Sequence, residues 1–249
     1  MMVKIYGYGW VGKAMKKLFP GALIHDPPQG LISKETASVA FICVPTPLKN
    51  KTLDTSVVEE VARKAKEDLI IIRSTVMPGT CDKLGKNIVY QPDYVGESTD
   101  HPLLDEAKRS FLIFGGLPKY RRKAIELYQQ VYNANISIRQ VTNYEAEVIK
   151  LSENRTILHK IIECQELYDA CEKAGVDYYT VRDAVYGDDP RMSLWWTFVY
   201  PDKRGANSKC IPKDVYGWAA WAESVGIDPK VTNKVLEVND GLVRNHTKL

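Results

Sequence analysis

The chain has 249 residues, 45% of them hydrophobic and 26% charged, which excludes a disordered protein and fits one or two folded domains. Its net charge of +3 gives no reason to expect a nucleic acid partner, although an anionic ligand would suit it. The apolar runs are too short to span a membrane, and we expect no leader peptide. The five scattered cysteines and four dispersed histidines predict neither a disulfide framework nor a metal site, so we expect a cytoplasmic protein.

The first 141 residues alternate short apolar runs with helical patterns, which is typical of a parallel sheet covered by helices. In chain order the pattern predicts a strand at 3–7, a helix at 10–19, strands at 22–26, 38–44, 68–74, 87–92 and 110–116, a helix at about 118–132 and a strand at 135–141. The link from Asp26 to Ser38 is so short for a parallel crossover that any helix in it must be very short.

From residue 142 onward the pattern is helical. TNYE, residues 142–145, is a capping box, and the helix it opens is predicted to run to about Ala174, where Gly175 ends it. Further helices are predicted at about 177–186, about 212–225 and 231–246, with a long loop over 187–211. We therefore predict an all-α central domain over residues 142–249, with one helix long enough to join two units or two subunits.

GYGWVG, residues 7–12, has glycines at the three positions that a dinucleotide-binding turn requires. Gly7 allows the tight turn, Gly9 lets a pyrophosphate approach the backbone, and Gly12 lets the helix lie close to the strand. Asp26 ends the second predicted strand, where a carboxylate accepts ribose hydroxyls and repels a 2′-phosphate. The motif predicts a Rossmann-type doubly wound sheet over residues 1–141 that binds NAD rather than NADP; the alternative is a glycine-rich turn that binds nothing.

Two loops end predicted strands on their carboxyl sides, where open α/β sheets bind ligands. They are VPTP at 44–47 and STVMPGT at 74–80, and hydroxyls such as those of Thr46, Ser74 and Thr75 can orient a ribose or a water. Alone, each is an ordinary loop more often than a site. Together with the glycine motif they are predicted to line one crevice.

Paired polar residues follow at two further places. QPDYVGE puts Asp93 and Glu97 after another strand, where paired acids can share a proton or organise a water for hydrolysis. Lys150 and Asn154 lie one turn apart on the long helix and can hold a developing oxyanion. The alternatives are a solvated acidic loop and an exposed helix face.

GANSKCIPKD, residues 205–214, places Cys210 just before a helix start marked by Pro212. A helix N-terminus and nearby ammonium groups favour a thiolate, which makes Cys210 a candidate nucleophile. The alternative is a small side chain that packs inertly, as most free cysteines do.

The chain resembles the UDP-glucose/GDP-mannose dehydrogenase family of nucleotide-sugar dehydrogenases in six motifs. In chain order these are GYGWVG, CVPTP, RSTVMPGT, QPDYVGE, EAEVIKLSEN and CIPKD. The resemblance covers nearly the whole chain. It implies the oxidation of a sugar CH2OH to a carboxylate in two hydride transfers, with two NAD and one active-site cysteine. Such a four-electron oxidation needs a covalent anchor, because the aldehyde would otherwise escape between the two transfers.

The resemblance also implies a role for each matching residue. Cys210 is similar to the nucleophile that forms a thiohemiacetal and then a thioester, and Lys150 and Asn154 to the pair that stabilises the oxyanion. The residues implied to order the hydrolytic water are Thr75, Asp93, Glu97 and Asp214. The predicted cofactor contacts are Gly7, Tyr8, Gly9, Trp10, Val11, Gly12, Asp26, Val44, Pro45, Thr46, Ser74, Thr75, Glu97 and Lys213. The predicted substrate contacts are Lys150, Asn154, Gly205, Asn207 and Ser208.

The sequence departs from the family pattern in three respects. Asn207, Ser208 and Lys209 stand where small flexible residues are expected, and Asp93 replaces a longer Glu. The segment after Asp26 is short, and we expect no counterpart in this sequence of the family's third, nucleotide-binding domain. Three explanations stay open: a separate chain supplies that domain, the substrate is smaller or held by a dimer partner, or the chain now does something else.

The resemblance implies a homodimer that forms through the long helix. Two other functions stay open beside the four-electron dehydrogenase. One is a two-electron dehydrogenase of the wider hydroxyacid superfamily, which needs neither Cys210 nor the acidic pair. The other is a non-catalytic NAD-binding protein derived from the enzyme. The joint retention of the Lys, Asn, Cys and Asp residues of the predicted site argues against this alternative.

Overall fold

A computed structural model describes residues 1–96, 105–132 and 135–246. The chain divides into two compact units, Met1–Lys150 and Leu151–Leu249. The division falls inside the long helix, whose first two turns belong to the first unit.

The first unit contains all the strands of the described residues. The strands are β1 (Val3–Tyr6), β2 (Leu23–His25), β3 (Val39–Ile42), β4 (Leu48–Lys49), β5 (Thr52–Leu53), β6 (Leu69–Ile72), β7 (Ile88–Tyr90), β8 (Phe111–Phe114) and β9 (Ser137–Gln140). The helices are α1 (Trp10–Leu18), α2 (Ser56–Lys64), α3 (Thr80–Leu84), α4 (Pro118–Tyr128) and the start of α5 (Asn143–Ala174).

Five strands form a parallel sheet in the order β2-β1-β3-β6-β7. Since β2 and β3 lie on opposite sides of β1, the chain reverses direction across the sheet there, and ligands of such sheets bind at the carboxyl ends of the strands beside that switch point. This arrangement confirms the predicted α/β fold with a doubly wound parallel sheet. A single 3-10 turn, Pro27–Gln29, occupies the short crossover that follows β2, as the link length predicted.

Both faces of the sheet are buried, which explains why its strands are continuously apolar. Alternate side chains such as Ile5, Phe41 and Ile71 pack in one core with α1 and α4. The intervening ones, such as Ile42 and Ile72, pack in a second core with α2, α3 and the start of α5.

Four features differ from the sequence prediction. β8 and β9 form a separate parallel pair instead of extending the five-stranded ladder, although the amide of Gly115 donates to the carbonyl of Tyr90 at 2.8 Å. The helices α2 and α3 were not predicted, and β4 and β5 form a short hairpin. Each predicted strand is shorter in the structure by one to three residues.

The capping box at the start of α5 is confirmed. The amide and hydroxyl of Thr142 donate to Glu145 Oε2 at 2.7 and 2.8 Å, and the Glu145 amide donates back to Thr142 Oγ1 at 3.2 Å. Two otherwise unpaired amides are thereby satisfied, and α5 begins where the sequence predicts.

The second unit is helical. The rest of α5 is followed by α6 (Tyr178–Arg182), which continues into a wider π-helical turn at Asp183–Asp188, and then by α7 (Ile211–Ser224) and α8 (Lys230–His246). One core joins α5, α7 and α8 through residues such as Leu158, Val215 and Leu236. In the described residues, no helix is long and apolar enough to cross a bilayer.

Candidate functional site

The glycine turn after β1 requires glycine for steric reasons. Gly7 has a φ of +89°, and a Cβ there would lie 2.6 Å from the carbonyl oxygen of Cys43. A Cβ on Gly12 would lie 2.1 Å from the carbonyl oxygen of Gly7. Gly9 differs, because a Cβ there meets nothing within 4 Å. The turn is thus packed tightly against the sheet and leaves open space at the N-terminus of α1.

The residues around this space fit a dinucleotide. The first turn of α1 carries no acidic side chain, and its amides can bind a phosphate. Asp26 follows β2, and its Oδ2 accepts hydrogen bonds from the Tyr8 amide at 2.6 Å and from Gln29 Nε2 at 2.7 Å. Within the described residues Oδ1 of Asp26 accepts no hydrogen bond, so it is left for ribose hydroxyls. Trp10 is half exposed beside the turn, and its indole N–H donates to the Gly96 carbonyl at 2.7 Å.

The loops that follow β3 and β6 are joined by two side chains. Thr46 Oγ1 donates to the Thr75 carbonyl at 2.7 Å, and Ser74 Oγ donates to the Val44 carbonyl at 2.7 Å. The structure brings these residues together as predicted, but the hydroxyl protons of Thr46 and Ser74 serve the contact between the two loops. The Thr75 hydroxyl is half buried and has no hydrogen-bond partner in the described part of the chain.

Asp93 follows β7 and is paired with a buried cation. Its Oδ1 accepts from Arg73 Nη2 at 3.0 Å and from the Val95 amide at 3.4 Å. Glu97, its predicted partner, lies outside the described residues. The acidic pair therefore stays a prediction, and the Arg73 contact is a feature that the sequence analysis missed.

Arg73 is the centre of a buried polar cluster. Its Nη1 donates to Glu106 Oε1 at 2.9 Å, to the Tyr128 hydroxyl at 3.0 Å, and to Gln91 Oε1. Arg109 Nη1 also lies 2.9 Å from Glu106 Oε1. Burial opposes ionisation of Glu106, yet the two guanidinium groups outweigh it and lower the pKa of that carboxyl. The cluster fixes the loop that carries Asp93 against the end of β6.

Glu147, on the first turns of α5, was also missed. Its buried carboxylate accepts from the amides of Gly79 at 2.5 Å and Cys81 at 2.8 Å. Burial raises the pKa of Glu147 to about 7, against the effect of these two amides. The side chain attaches the loop that contains Thr75 to α5. Its position in the sequence, three residues before Lys150, could have indicated that it lies near the predicted site.

Lys150 is buried in the first unit, where its ammonium lies 5.1 Å from the centre of the Tyr94 ring. A cation held over an aromatic face is stabilised without a carboxylate partner.

Asn154 belongs to the second unit and contacts Asp214, which is 1% exposed. Asn154 Nδ2 donates to Asp214 Oδ2 at 2.6 Å, and Lys213 Nζ lies 2.6 Å from Asp214 Oδ1. The structure thus brings three predicted site residues together around one carboxylate.

Cys210 directly precedes α7, as predicted. Its carbonyl accepts from the Asp214 amide at 3.0 Å, and the Ile211 amide donates to Ser208 Oγ at 3.1 Å. The four other cysteines are buried, whereas Cys210 is only partly so. Asn207, Ser208 and Lys209 are exposed. Cys210 is therefore the thiol most open to a reagent, and Ser208 caps the local backbone.

Two family models match the chain. The model of the UDP-glucose/GDP-mannose dehydrogenase family NAD binding domain matches residues 32–105, and the model of the central domain of the same family matches residues 144–241. The first match begins after the glycine turn and Asp26, so the assignment of those residues depends on their geometry.

Curated relatives and solved structures are similar to the chain. GDP-mannose 6-dehydrogenase of Pseudomonas savastanoi pv. phaseolicola is 26% identical over 231 residues, which are 83% of this chain and 51% of the relative. UDP-glucose 6-dehydrogenase of Haloferax volcanii is 25% identical over 231 residues, 81% of this chain and 52% of the relative. The chain therefore spans about half the length of the curated relatives it matches.

The likeness to solved structures concerns the fold alone. A UDP-glucose dehydrogenase from the archaeon Pyrobaculum islandicum superposes with a TM-score of 0.78 at 21% identity, over 97% of this chain and 68% of that one. A UDP-D-ManNAc dehydrogenase from Pyrococcus horikoshii superposes with a TM-score of 0.77 at 20% identity, over 97% of this chain and 69% of that one.

Proposed function

Because the chain belongs to the UDP-glucose/GDP-mannose dehydrogenase family, we propose that it oxidises the CH2OH group of a nucleotide sugar to a carboxylate. It is an NAD-dependent dehydrogenase by family, and the four-electron course is our inference. The observation that carries it is the partly exposed thiol of Cys210 at the start of α7, with Asp214 one turn further on and hydrogen-bonded to Asn154.

NAD supplies the hydride acceptor when it is bound. Gly9 leaves room for its pyrophosphate beside the amides of α1, and Asp26 offers a carboxylate oxygen to its ribose. The carboxylate also repels a 2′-phosphate, so we propose selectivity for NAD over NADP.

Cys210 acts on the aldehyde that the first oxidation produces. Its thiolate forms a C–S bond to the carbonyl carbon while the C=O π pair moves to oxygen, which gives the alkoxide of a thiohemiacetal. Loss of a hydride from that carbon restores the C=O bond and leaves a thioester. Water then adds to the thioester carbon, and the C–S bond breaks to release the carboxylate product and the thiolate.

The other site residues are proposed to stabilise the charges that develop during these reaction steps and to orient the reacting groups. Lys150 and the second amide N–H of Asn154 are proposed to stabilise the alkoxide. Thr75 and Asp93 are proposed to orient the hydrolytic water together with Glu97. Asp214 is proposed to hold the amide of Asn154 in the orientation that presents an N–H to the oxyanion.

The test counts the NADH formed per molecule of sugar. The purified chain is incubated with NAD and limiting UDP-glucose, GDP-mannose or an N-acetylated UDP-hexosamine. Two NADH per sugar with at least one of them supports the proposal, one NADH indicates a two-electron dehydrogenase, and none with any of them overturns it.

Cys210→Ser tests the covalent step in the same assay. The variant should stop after the aldehyde stage, because the neutral serine hydroxyl is a much weaker nucleophile than a thiolate and forms no thioester. Cys171→Ser, which changes a buried thiol in the same unit, is the matched control and should keep the wild-type stoichiometry. Full four-electron turnover by Cys210→Ser would exclude the covalent mechanism.

We also propose a cytoplasmic homodimer that forms through α5. Light scattering at micromolar concentration should give twice the chain mass, and a monomer under these conditions would contradict it.

A further inference from the structure

We propose that Asn239, on the last helix α8, is a positioning residue for Cys210. We define residues 204–210 as the thiol loop. The oxygen and the nitrogen of the Asn239 side-chain amide both form hydrogen bonds with the backbone of one residue in this loop. Asn239 Oδ1 accepts from the Ala206 amide at 2.7 Å, and its Nδ2 donates to the Ala206 carbonyl at 3.1 Å. Asn239 and Ala206 lie 33 positions apart in the chain, so no local motif marks their contact.

The contact is buried and specific. Asn239 is 1% exposed, and Ala206 is buried beside it. An amide side chain that pairs with both the N–H and the C=O of one residue reproduces the pairing of a neighbouring strand. Among uncharged side chains only glutamine also carries an N–H donor and a C=O acceptor side by side on one amide group, and glutamine is one methylene longer.

Gly205 lies close to the Asn239 contact and has little room there for a side chain. Its φ is +75°, and a Cβ there would lie 3.1 Å from Asn239 Oδ1 and 3.1 Å from Val243 Cγ2. A side chain at 205 would therefore push against the amide that holds Ala206. The close approach of α8 to the loop requires glycine at this position.

The loop is also fixed before Gly205. The buried guanidinium of Arg204 donates from Nη2 to the Gln165 carbonyl at 3.2 Å and from Nε to Gln165 Oε1, and its Nη1 lies 2.8 Å from Asp169 Oδ1. These contacts attach the start of the loop to α5.

Cys210 is four residues beyond Ala206 and directly precedes α7. Residues 207–209 between the two anchors are exposed, so they offer little packing of their own. The thiol is thus held by α7 on one side and by the Asn239 contact on the other. Since displacement of a reacting group by about 1 Å can cost about a hundredfold in rate, the second anchor matters for a nucleophile.

This inference rests on the proposed function, in which Cys210 is the nucleophile, but its test does not use turnover. The rate of Cys210 alkylation by iodoacetamide is measured across a range of pH without NAD or sugar, with Cys210→Ser as the background. Asn239→Asp keeps the acceptor for the Ala206 amide and sets a carboxylate oxygen against the Ala206 carbonyl. Asn233→Asp, the same change at an exposed position of α8, is the matched control.

We expect Asn239→Asp to change the alkylation rate at neutral pH by at least about fivefold and to shift its pH profile, while Asn233→Asp matches the wild type. A merely structural role would lower the unfolding midpoint and leave the profile of the folded protein unchanged. An Asn239→Asp profile equal to the wild type, with the fold verified by circular dichroism, overturns the proposal.

If Asn239→Asp does not fold, two further measurements test the proposal: alkylation of Gly205→Ala and hydrogen exchange of the wild type. The alanine Cβ presses on Asn239 Oδ1 from the loop side and should produce the same alteration in alkylation. Hydrogen exchange on the wild type should show the Ala206 amide protected like the core amides of α8, and exchange at the rate of an open loop would overturn the proposal. Loss of the proposed function itself would appear separately, as full turnover by Cys210→Ser.

Discussion

Asn154 donates from Nδ2 to Asp214 Oδ2 at 2.6 Å, and both residues are buried. The other carboxylate oxygen lies 2.6 Å from Lys213 Nζ. The carboxylate therefore determines which way the amide faces, because only its nitrogen can donate. One N–H of Asn154 is used on Asp214, and the second has no further acceptor in the described part of the chain.

Asp214→Asn should uncouple this arrangement. The amide offers Asn154 no fixed acceptor and leaves the Lys213 ammonium without its counterion. We expect kcat to fall by about 10–100-fold and the free energy of unfolding by about 1–3 kcal/mol. Steady-state kinetics and urea denaturation measure the two effects. Asp228→Asn, at an exposed site whose carboxylate lies 3.6 Å from Lys230, is the control and should alter neither.

Glu147 should make stability depend on pH. Its pKa is raised from 4.5 to about 7 on folding, so the folded state binds the proton more tightly. The contribution of Glu147 to the free energy of unfolding should therefore be highest at low pH and should decline as pH rises from about 4.5 to about 7, by on the order of 3 kcal/mol.

Glu147→Gln should remove this decline. Its neutral amide has one oxygen in place of the two that accept from the Gly79 and Cys81 amides, and it sets an N–H against one of those donors, so we expect a less stable protein with a flatter dependence on pH. Urea denaturation between pH 5 and 8 compares the slopes, and Glu166→Gln, at an exposed position of α5, is the control. Equal slopes in Glu147→Gln and the wild type would contradict the raised pKa.

The buried pair of Arg73 and Glu106 should behave as one unit. Arg73→Met leaves the Glu106 carboxylate with only Arg109, and Glu106→Gln leaves the Arg73 guanidinium with only Asp93, so either change alone should cost about 3–5 kcal/mol. The double variant should cost less than the sum by about 1–3 kcal/mol, because the contact between the two groups can be lost only once. Arg63→Met breaks an exposed pair with Glu59 and should cost under about 1 kcal/mol. Additive losses would show that the two side chains are not coupled.

Features set by local sequence were predictable. The glycine turn and the capping box of Thr142 and Glu145 depend on residues a few positions apart, and both are where the pattern places them. The helix α2 carried a usable local signal, since Thr55 Oγ1 donates to Glu59 Oε1 at 2.9 Å and Val58 and Ala62 form its buried face.

Contacts between distant segments were not predictable. Arg73 meets Glu106 across 33 positions and Asn239 meets Ala206 across 33, so no spacing in the sequence marks either pair. The departure of β8 and β9 from the main ladder is also a tertiary effect, because their apolar pattern suits either arrangement.

The glycine turn offers a test that separates folding from cofactor binding. Gly12→Ala places a Cβ 2.1 Å from the Gly7 carbonyl oxygen and should lower both the unfolding midpoint and the affinity for NAD. Gly9→Ala meets nothing within 4 Å, so it should keep the midpoint of the wild type while the methyl group occupies the space required by the pyrophosphate.

Calorimetric titration with NAD should then show at least about a tenfold weaker affinity for Gly9→Ala. Gly21→Ala, which also meets nothing within 4 Å, is the matched control and should bind NAD as the wild type does. Since Gly9 and Gly21 both lie in open surroundings but only Gly9 lies at the N-terminus of α1, equal affinities in the two variants would place the pyrophosphate elsewhere.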